Sequence, residues 1–364
     1  MSGDAPDNGS TTASAAGGRD TSMPPYTIAV LNFNGLKVLK PTLDALLKIP
    51  DEGKHIMVLD NGSTDGSREW IAENYPQLDL HHTADDGNLP RVRNHALEHA
   101  PTRYVMLCDN DLVLEPNCPR KLLEAMTSGD DVLACTPRMQ YIENPDVIHN
   151  DVGRVHFLAV SGRSERGRTV QEVPASDEPQ STVPGGIAMI DRELAVRIGL
   201  FDDVYPFGWG CDAEFYIRGT IAGLHSLHAS DALGYHPVPA HGFGRAEGQI
   251  HNRYRFILTL YSARTLFLLA PLLLPFEAAL TVLFAIKGLT SVQLRCIRLI
   301  WRGRAELKAT RRTIQRARRA SDAAYLDASG FSGGGPLSSR KLAWVGVAVN
   351  GILAAYWTLV KRLL

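Results

Sequence analysis

Cysteine is scarce and unpatterned in this chain. Five residues, Cys108, Cys118, Cys135, Cys211 and Cys296, are scattered over 364 positions and never form a C-x-x-C pair. An odd, unpaired set excludes a disulfide framework and a zinc ribbon and fits a reducing, cytosolic setting. A secretory signal is also missing: Met1–Thr21 is rich in Gly, Ser, Ala, Thr and Asp, with no basic stretch followed by an apolar run. Residues 1–24 read as a disordered tail. No G-x-G-x-x-G follows the first strand-like run, which argues against NAD-dependent dehydrogenation. Net charge is nearly absent, at -1, but the balance hides an asymmetry. Acidic residues dominate Asp44–Asp231, whereas Lys287–Arg319 is almost purely basic, so two surfaces with different tasks are expected.

The length exceeds what a single core usually organises, roughly 250–300 residues, so a catalytic unit plus an appendage is expected. From Tyr26 onward the chain alternates short β-rich runs with helix-spaced segments. Tyr26–Leu31, His55–Leu59, Leu78–His82 and Tyr104–Cys108 each lead into a polar or glycine-containing loop. Val132–Thr136 and Ile187–Ile190 read as further strands, and Arg138–Pro184 between them as a polar, poorly periodic excursion or lid. Such alternation predicts an α/β fold with a Rossmann-like, mostly parallel sheet and flanking helices. Ligands in such a fold sit outside the carboxyl ends of the strands.

Behind residues 25–240 lies a different kind of chain. Residues 241–264 form a connecting amphipathic segment, and Thr265–Ile286 is strongly apolar but interrupted by Pro271, Pro275 and Glu277. Residues 287–320 set Arg295, Arg298, Arg302, Arg304, Arg311 and Arg312 among Leu294, Ile297, Leu299 and Trp301, a basic amphipathic helix suited to anionic lipid headgroups rather than nucleic acid. A Gly/Ser-containing linker over 321–341 precedes residues 342–360, uncharged and long enough to cross a bilayer. With the catalytic part and the basic segment both on the cytoplasmic side, 265–286 is expected to be re-entrant or interfacial, which leaves one span near the C-terminus. The chain is therefore expected to be membrane-associated, with its catalytic domain facing the cytoplasm.

Three polar motifs carry chemistry, two of them at strand ends. Asp109-Asn110-Asp111 places two carboxylates where they can face one divalent cation, and hard oxygen ligands suit Mg²⁺ or Mn²⁺ on a diphosphate. A polar turn closing the strand is the plainer alternative. Asp60 ends the second strand and is placed to accept hydrogen bonds from a nucleobase or ribose, while Ser63, Thr64 and Asp65 supply an Asx turn and helix cap. Asp212 and Glu214 share a helix with Arg218, with which either can pair.

Taken in order, AVLNFNG, DNGSTDG, GNLPRVRNHAL, the strand-end DxD, PGGIAMIDRELAVRIGLFDD and GWGCDAEFYIRGTIAGLHSLHASDALGYHP resemble a family 2 glycosyltransferase of the GT-A fold over Tyr26–Pro237. This resemblance implies a nucleotide-sugar donor held by Asn32, Asp60, Arg91, Arg93, Asn94, Asp109, Gly185 and Gly186. It implies a divalent cation at Asp109, Asp111 and His236, and Asp212 as the base that takes a proton from the acceptor hydroxyl, with Glu214 in reserve. Cys211 stands where the family carries an acid. Arg91, Arg93 and Asn94 read equally as a solvated helix face, and Gly185-Gly186 as a simple turn. Trp209 either stacks on a sugar or packs in the core. His251, Arg253 and Arg255 either hold an acceptor's phosphate or anchor the chain at the lipid surface. The implied activity is inverting sugar transfer onto a cell-surface polysaccharide or lipid-linked glycan, rhamnosyltransferase-like. A membrane-tethered inactive sugar or nucleotide binder and a nucleotidyltransferase are the competing readings.

Overall fold

A computed structural model of the chain describes residues 23–50, 53–83, 87–161, 165–175, 180, 186–205, 210–238, 246–329 and 343–364. Gly185 and Trp209 lie outside the described residues.

In chain order the first half runs β1 (Tyr26–Asn32), α1 (Leu39–Leu47), β2 (Lys54–Asp60), α2 (Ser67–Asn74), β3 (Asp79–His82), α3 (Leu89–His99), β4 (Tyr104–Asp109), β5 (Val113–Leu114) and α4 (Cys118–Met126). Next come β6 (Val132–Tyr141), β7 (Ile148–Asn150), β8 (Val155–His156), β9 (Val160–Ser161), β10 (Ile187–Asp191), α5 (Arg192–Ile198), α6 (Ala213–Ile221) and β11 (His225–His236). The C-terminal part holds α7 (Ala246–Leu260), α8 (Ala263–Ile286), α9 (Thr290–Arg302), α10 (Arg304–Ala317), β12 (Leu326–Asp327) and α11 (Ala343–Lys361).

Among the described residues, nine strands form one sheet in the order β3-β2-β1-β4-β10-β6-β11-β5, with β7 beside β6. The first four are parallel and β10 runs antiparallel between β4 and β6. Side-chain alternation sorts the core: Ile28 and Val30 face α1, α2 and α4, whereas Ala29 and Leu31 face α3, α5 and α6. Asn88 caps α3 by accepting from the Arg91 amide at 3.1 Å, and Pro90 in the first turn fits where no intrahelical donor is needed. Gly219 lets α6 press onto β6, because a Cβ there would meet Leu133 Cδ2 at 2.3 Å.

Several expectations change on folding. Among the described residues of the 138–184 segment, β6 extends to Tyr141 and Arg138, His149, Asp151, His156 and Phe157 are buried. β8 also pairs with β12 from the far end of the chain. Residues 263–286 form one continuous 24-residue helix, α8, with Pro271 and Pro275 inside it. Each proline removes one donor, but the surrounding apolar residues leave the backbone no better partners than the remaining helical bonds. The basic segment is two helices, α9 and α10, broken at Gly303. Arg311 donates to the carbonyls of Leu258 and Tyr261 at 2.7 and 2.8 Å, so part of the basic surface closes the end of α7 instead of facing lipid. A third apolar cluster joins α6, α7, α8, α10 and α11 through Ile217, Phe256, Leu269, Ile314 and Trp357, fastening the helical part to the α/β domain. Among the described residues α8 is long and apolar enough to cross a membrane.

Candidate active site

The parallel register aligns Asn32 with Asp60 and Leu31 with Asp109, so the polar strand ends of β1, β2 and β4 converge. Asn32 is buried and fully engaged. Its Nδ2 donates to Asp60 Oδ2 at 2.8 Å and to Ser67 Oγ at 3.0 Å, and its Oδ1 accepts from Asn110 Nδ2 at 2.9 Å. The Ser63 amide donates to the other Asp60 oxygen at 3.0 Å. Asp60 is therefore enclosed, and its carboxylate shapes the loop beside it while retaining further lone pairs. Asn110, the middle residue of the DxD, also ties in α1, whose Thr42 hydroxyl donates to its carbonyl at 2.9 Å. Gly35 has no room for a side chain: a Cβ would lie 2.1 Å from Asn110 Nδ2 and 2.3 Å from Asn32 Oδ1.

Asp109 ends β4, and its amide donates to the Gly186 carbonyl at 2.8 Å. Gly186 has φ +111 and would bring a Cβ to 3.4 Å from Asp109 Oδ2, so both backbone and space favour glycine beside this carboxylate. Burial pushes the Asp109 carboxyl up to about 6; the Arg93 guanidinium opposes the rise, while Asp111 adds to it. Asp109, Arg93, Asp212, Gly186 and Tyr216 line one small cavity. There Arg93, on α3 and nearly buried, forms an ion pair with Asp212 at the start of α6, with its cationic carbon 5.5 Å from the Phe201 ring centre. Cys211 points its thiol at Asp212 Oδ1 at 3.5 Å, so the residue standing in place of the family's acid is a weak donor to the candidate base.

The other residues expected at the site divide sharply. Arg91 pairs with Asp203 at 2.8 Å and Asn94 brackets the backbone of Phe201 with two 2.9 Å bonds, so both hold the loop after α5. Glu214 is bound to Arg218 at 2.7 Å inside the helix layer. Arg253 pairs with Glu277 and donates to the Leu158 carbonyl at 2.7 Å. Arg255 is almost fully buried between Asp202 and Glu306, at 2.6 and 2.7 Å. Each guanidinium is paired with a carboxylate, because one brought into the interior needs a partner there.

For a cation, the nearest pair is Asp111 Oδ1 and His236 Nε2, 3.7 Å apart. His236 Nδ1 lies 2.6 Å from the Pro237 carbonyl, which fixes the proton on Nδ1 and leaves the Nε2 lone pair toward Asp111, the orientation that imidazole ligands use. His149 stacks on His236 with ring centres 4.2 Å apart, and burial holds its own pKa down at about 3, so this neighbour stays neutral. Among the described residues no group of three or more His, Cys, Asp or Glu side chains forms a complete metal cage. The chemistry of the donor set, two carboxylates and one imidazole, fits a hard divalent cation such as Mn²⁺ or Mg²⁺. Sequence reasoning missed Asn110, Cys211 as a donor, and His149. Only Asn110 carried a signal, by standing between the two acids.

Comparison with known families decides the assignment: residues 27–199 match the model described as "Glycosyl transferase family 2". These residues are a family 2 glycosyltransferase domain. Asp212 and His236 lie beyond the matched stretch. The chain is 25% identical over 238 residues to the chondroitin synthase of Escherichia coli, covering 58% of this chain and 34% of that protein. It is 21% identical over 199 residues to the poly-beta-1,6-N-acetyl-D-glucosamine synthase of Staphylococcus aureus (strain COL), covering 53% and 46%. The chain thus spans less than half of these curated relatives. The structure of GalNAc-T7 with UDP, GalNAc and Mn²⁺ overlays with a TM-score of 0.56 at 15% identity, over 67% of this chain and 49% of that one. That likeness extends the GT-A fold to this family 2 domain.

Proposed function

We propose that the chain is an inverting, metal-dependent glycosyltransferase that moves a sugar from a nucleoside diphosphate to an acceptor hydroxyl in cell-surface polysaccharide or lipid-linked glycan synthesis. The observation that carries it is the gathering of Arg93, Asp109 and Asp212, from α3, β4 and α6, around one cavity at the strand ends. The synthase names of the curated relatives support the polysaccharide class, and the presence of both UDP and Mn²⁺ in the GalNAc-T7 structure supports the cation.

In this reading Asp212 accepts the proton of the acceptor hydroxyl as that oxygen bonds to the anomeric carbon, and the bond from that carbon to the diphosphate oxygen breaks on the opposite face. Arg93 holds Asp212 in place and lies within the same cavity as Asp109, where a forked donor can meet phosphate oxygens. Asp109, Asp111 and His236 would hold the divalent cation, which would supply charge neutralisation for the departing diphosphate. The packed turn of Asn32, Asp60 and Ser63 shapes the floor for the nucleoside. Helix α8 supports membrane association, with the catalytic domain on the cytoplasmic side where nucleotide sugars are made.

The test is release of nucleoside diphosphate by the detergent-purified chain from UDP-, GDP- and dTDP-sugars, with Mn²⁺, Mg²⁺ or chelator, and with or without membrane lipid extract. Asp212→Asn is expected to lose about 10²–10⁴-fold in turnover while still binding nucleotide. Full turnover in that variant, or binding without turnover across the whole panel in the wild type, overturns the reading.

A further inference from the structure

Away from the strand ends, α7, α8 and β9 enclose a cavity of about 480 Å³. That size falls among small-molecule sites, roughly 300–1,000 Å³. Ile250, Tyr254, Leu280, Leu283, Phe284 and Leu289 give it apolar walls, while Arg253, Gln249 and Lys287 supply its few polar groups. One wall is α8, the helix long and apolar enough to enter a bilayer, whose outer face leaves Phe267, Leu274, Val282 and Ile286 exposed.

Two observations specify the occupant. Arg253 is buried and ion-paired, yet its Nε–H has no hydrogen-bond acceptor among the described residues, and a buried donor left in that state costs about 1–3 kcal/mol unless a ligand meets it. Lys287 closes α8 at the same cavity and is exposed, so apolar walls end at cationic groups. Apolar lining, a bilayer-length helix as one wall and cations at the polar end match an amphiphile with a long hydrocarbon chain and an anionic head. We propose that this cavity holds the chain of a phosphate-headed lipid, with the phosphate at Lys287 and Arg253. The lipid lies one helix from the candidate base: Asn252, next to Arg253 on α7, packs on Gly210, where a Cβ would sit 3.8 Å from Asn252 Cβ, two residues before Asp212. That this lipid is the sugar acceptor rests on the glycosyl-transfer reading above; that the cavity holds a lipid does not.

The experiment titrates the full chain in neutral detergent with a chain-labelled fluorescent phosphatidic acid. Competitors are a long-chain polyprenyl phosphate, phosphatidylglycerol, the uncharged alcohol farnesol and inorganic phosphate. Saturable one-to-one binding is expected, displaced by the two phosphate lipids but not by farnesol or phosphate alone; the stronger competitor distinguishes a lipid carrier from a bulk membrane lipid. Leu283→Trp, which fills the cavity, is expected to weaken binding at least tenfold, about 1.4 kcal/mol. Lys287→Glu should weaken it as well, and Val282→Trp, on the exposed face of the same helix, should leave it unchanged. Leu280→Phe replaces Leu283→Trp if the latter does not fold. Binding that never saturates, or that is equal in Leu283→Trp and Val282→Trp, overturns the proposal. Nucleotide-sugar turnover on the same samples separates the two ideas: turnover without lipid binding defeats the cavity alone, and lipid binding without turnover defeats the transferase reading alone.

Discussion

Asn32 and Asn110 show how much of the site is built by residues that need not touch a substrate. Their side chains bond to each other, Asn32 also bonds Asp60, and Gly35 is the gap that lets them meet. Gly35→Ala inserts a methyl group within 2.1 Å of Asn110 Nδ2. The expected result is a loss of roughly 1–3 kcal/mol of stability in denaturant unfolding, with weaker nucleotide binding, because overpacking forces the pair apart. Glu214 gives a sharper distinction. Its carboxylate is buried against Arg218, so Glu214→Ala should destabilise by about 3–5 kcal/mol by stranding the guanidinium. Glu214→Gln keeps hydrogen-bond partners for Arg218 and should retain most turnover per folded molecule; loss of turnover at full stability in that variant would make Glu214 the base. Asp60, Asp109 and Asp111 were legible in the sequence because a polar residue ending an apolar run is a local signal. The Arg93–Asp212 pair was not, since its partners stand on α3 and α6 and meet only after the crossovers are made.

At the scale of elements, α3 and α7 each have two sides with different work. Residues Asn88, Arg91 and Asn94 of the α3 region fix the loop at 201–203 while Arg93 reaches the cavity. Helix α7 carries Arg255 to Asp202 and Glu306 on one side and lines the apolar cavity on the other. The helix-spaced pattern made these elements visible but not their burial, because a basic amphipathic stretch reads the same whether its arginines meet lipid or internal carboxylates. Helix α11 is held to the α/β domain by Trp357, whose ring stacks on Phe157 at 5.3 Å between centres. Trp357→Ala is expected to remove about 3–5 kcal/mol. The measurement is thermal unfolding of the detergent-solubilised chain; an unchanged midpoint would mean that α11 is not part of the cooperative unit.

Over the whole molecule, buried neutral histidines make the fold sensitive to acid. Burial lowers the His156 pKa to about 4 from its ordinary value of 6.5, and its Nδ1 accepts from the Leu158 amide at 3.1 Å, which requires the neutral ring. A depressed folded-state value means that the unfolded chain binds the proton first. This contribution is therefore complete above pH 6.5 and is lost as pH falls toward 4, at about 1.4 kcal/mol per pH unit and roughly 3 kcal/mol in all. Denaturant midpoints measured from pH 7.5 to 4.5 should fall, and His156→Phe should flatten the slope; an unchanged slope would assign the acid sensitivity elsewhere.

By itself the sequence determined the alternating α/β architecture, the strand ends that carry Asp60, Asp109 and Asp111, and an apolar, basic C-terminal part, because periodicity and strand-end polarity are properties of neighbouring residues. Only the tertiary structure decided which charges face one another. It set Arg93 against Asp212 and Asp111 against His236, placed Arg255 between Asp202 and Glu306, and drew 263–286 into one continuous helix that walls a cavity. Those choices depend on chain crossovers and on the need of every buried charge for a partner, neither of which is written in local spacing.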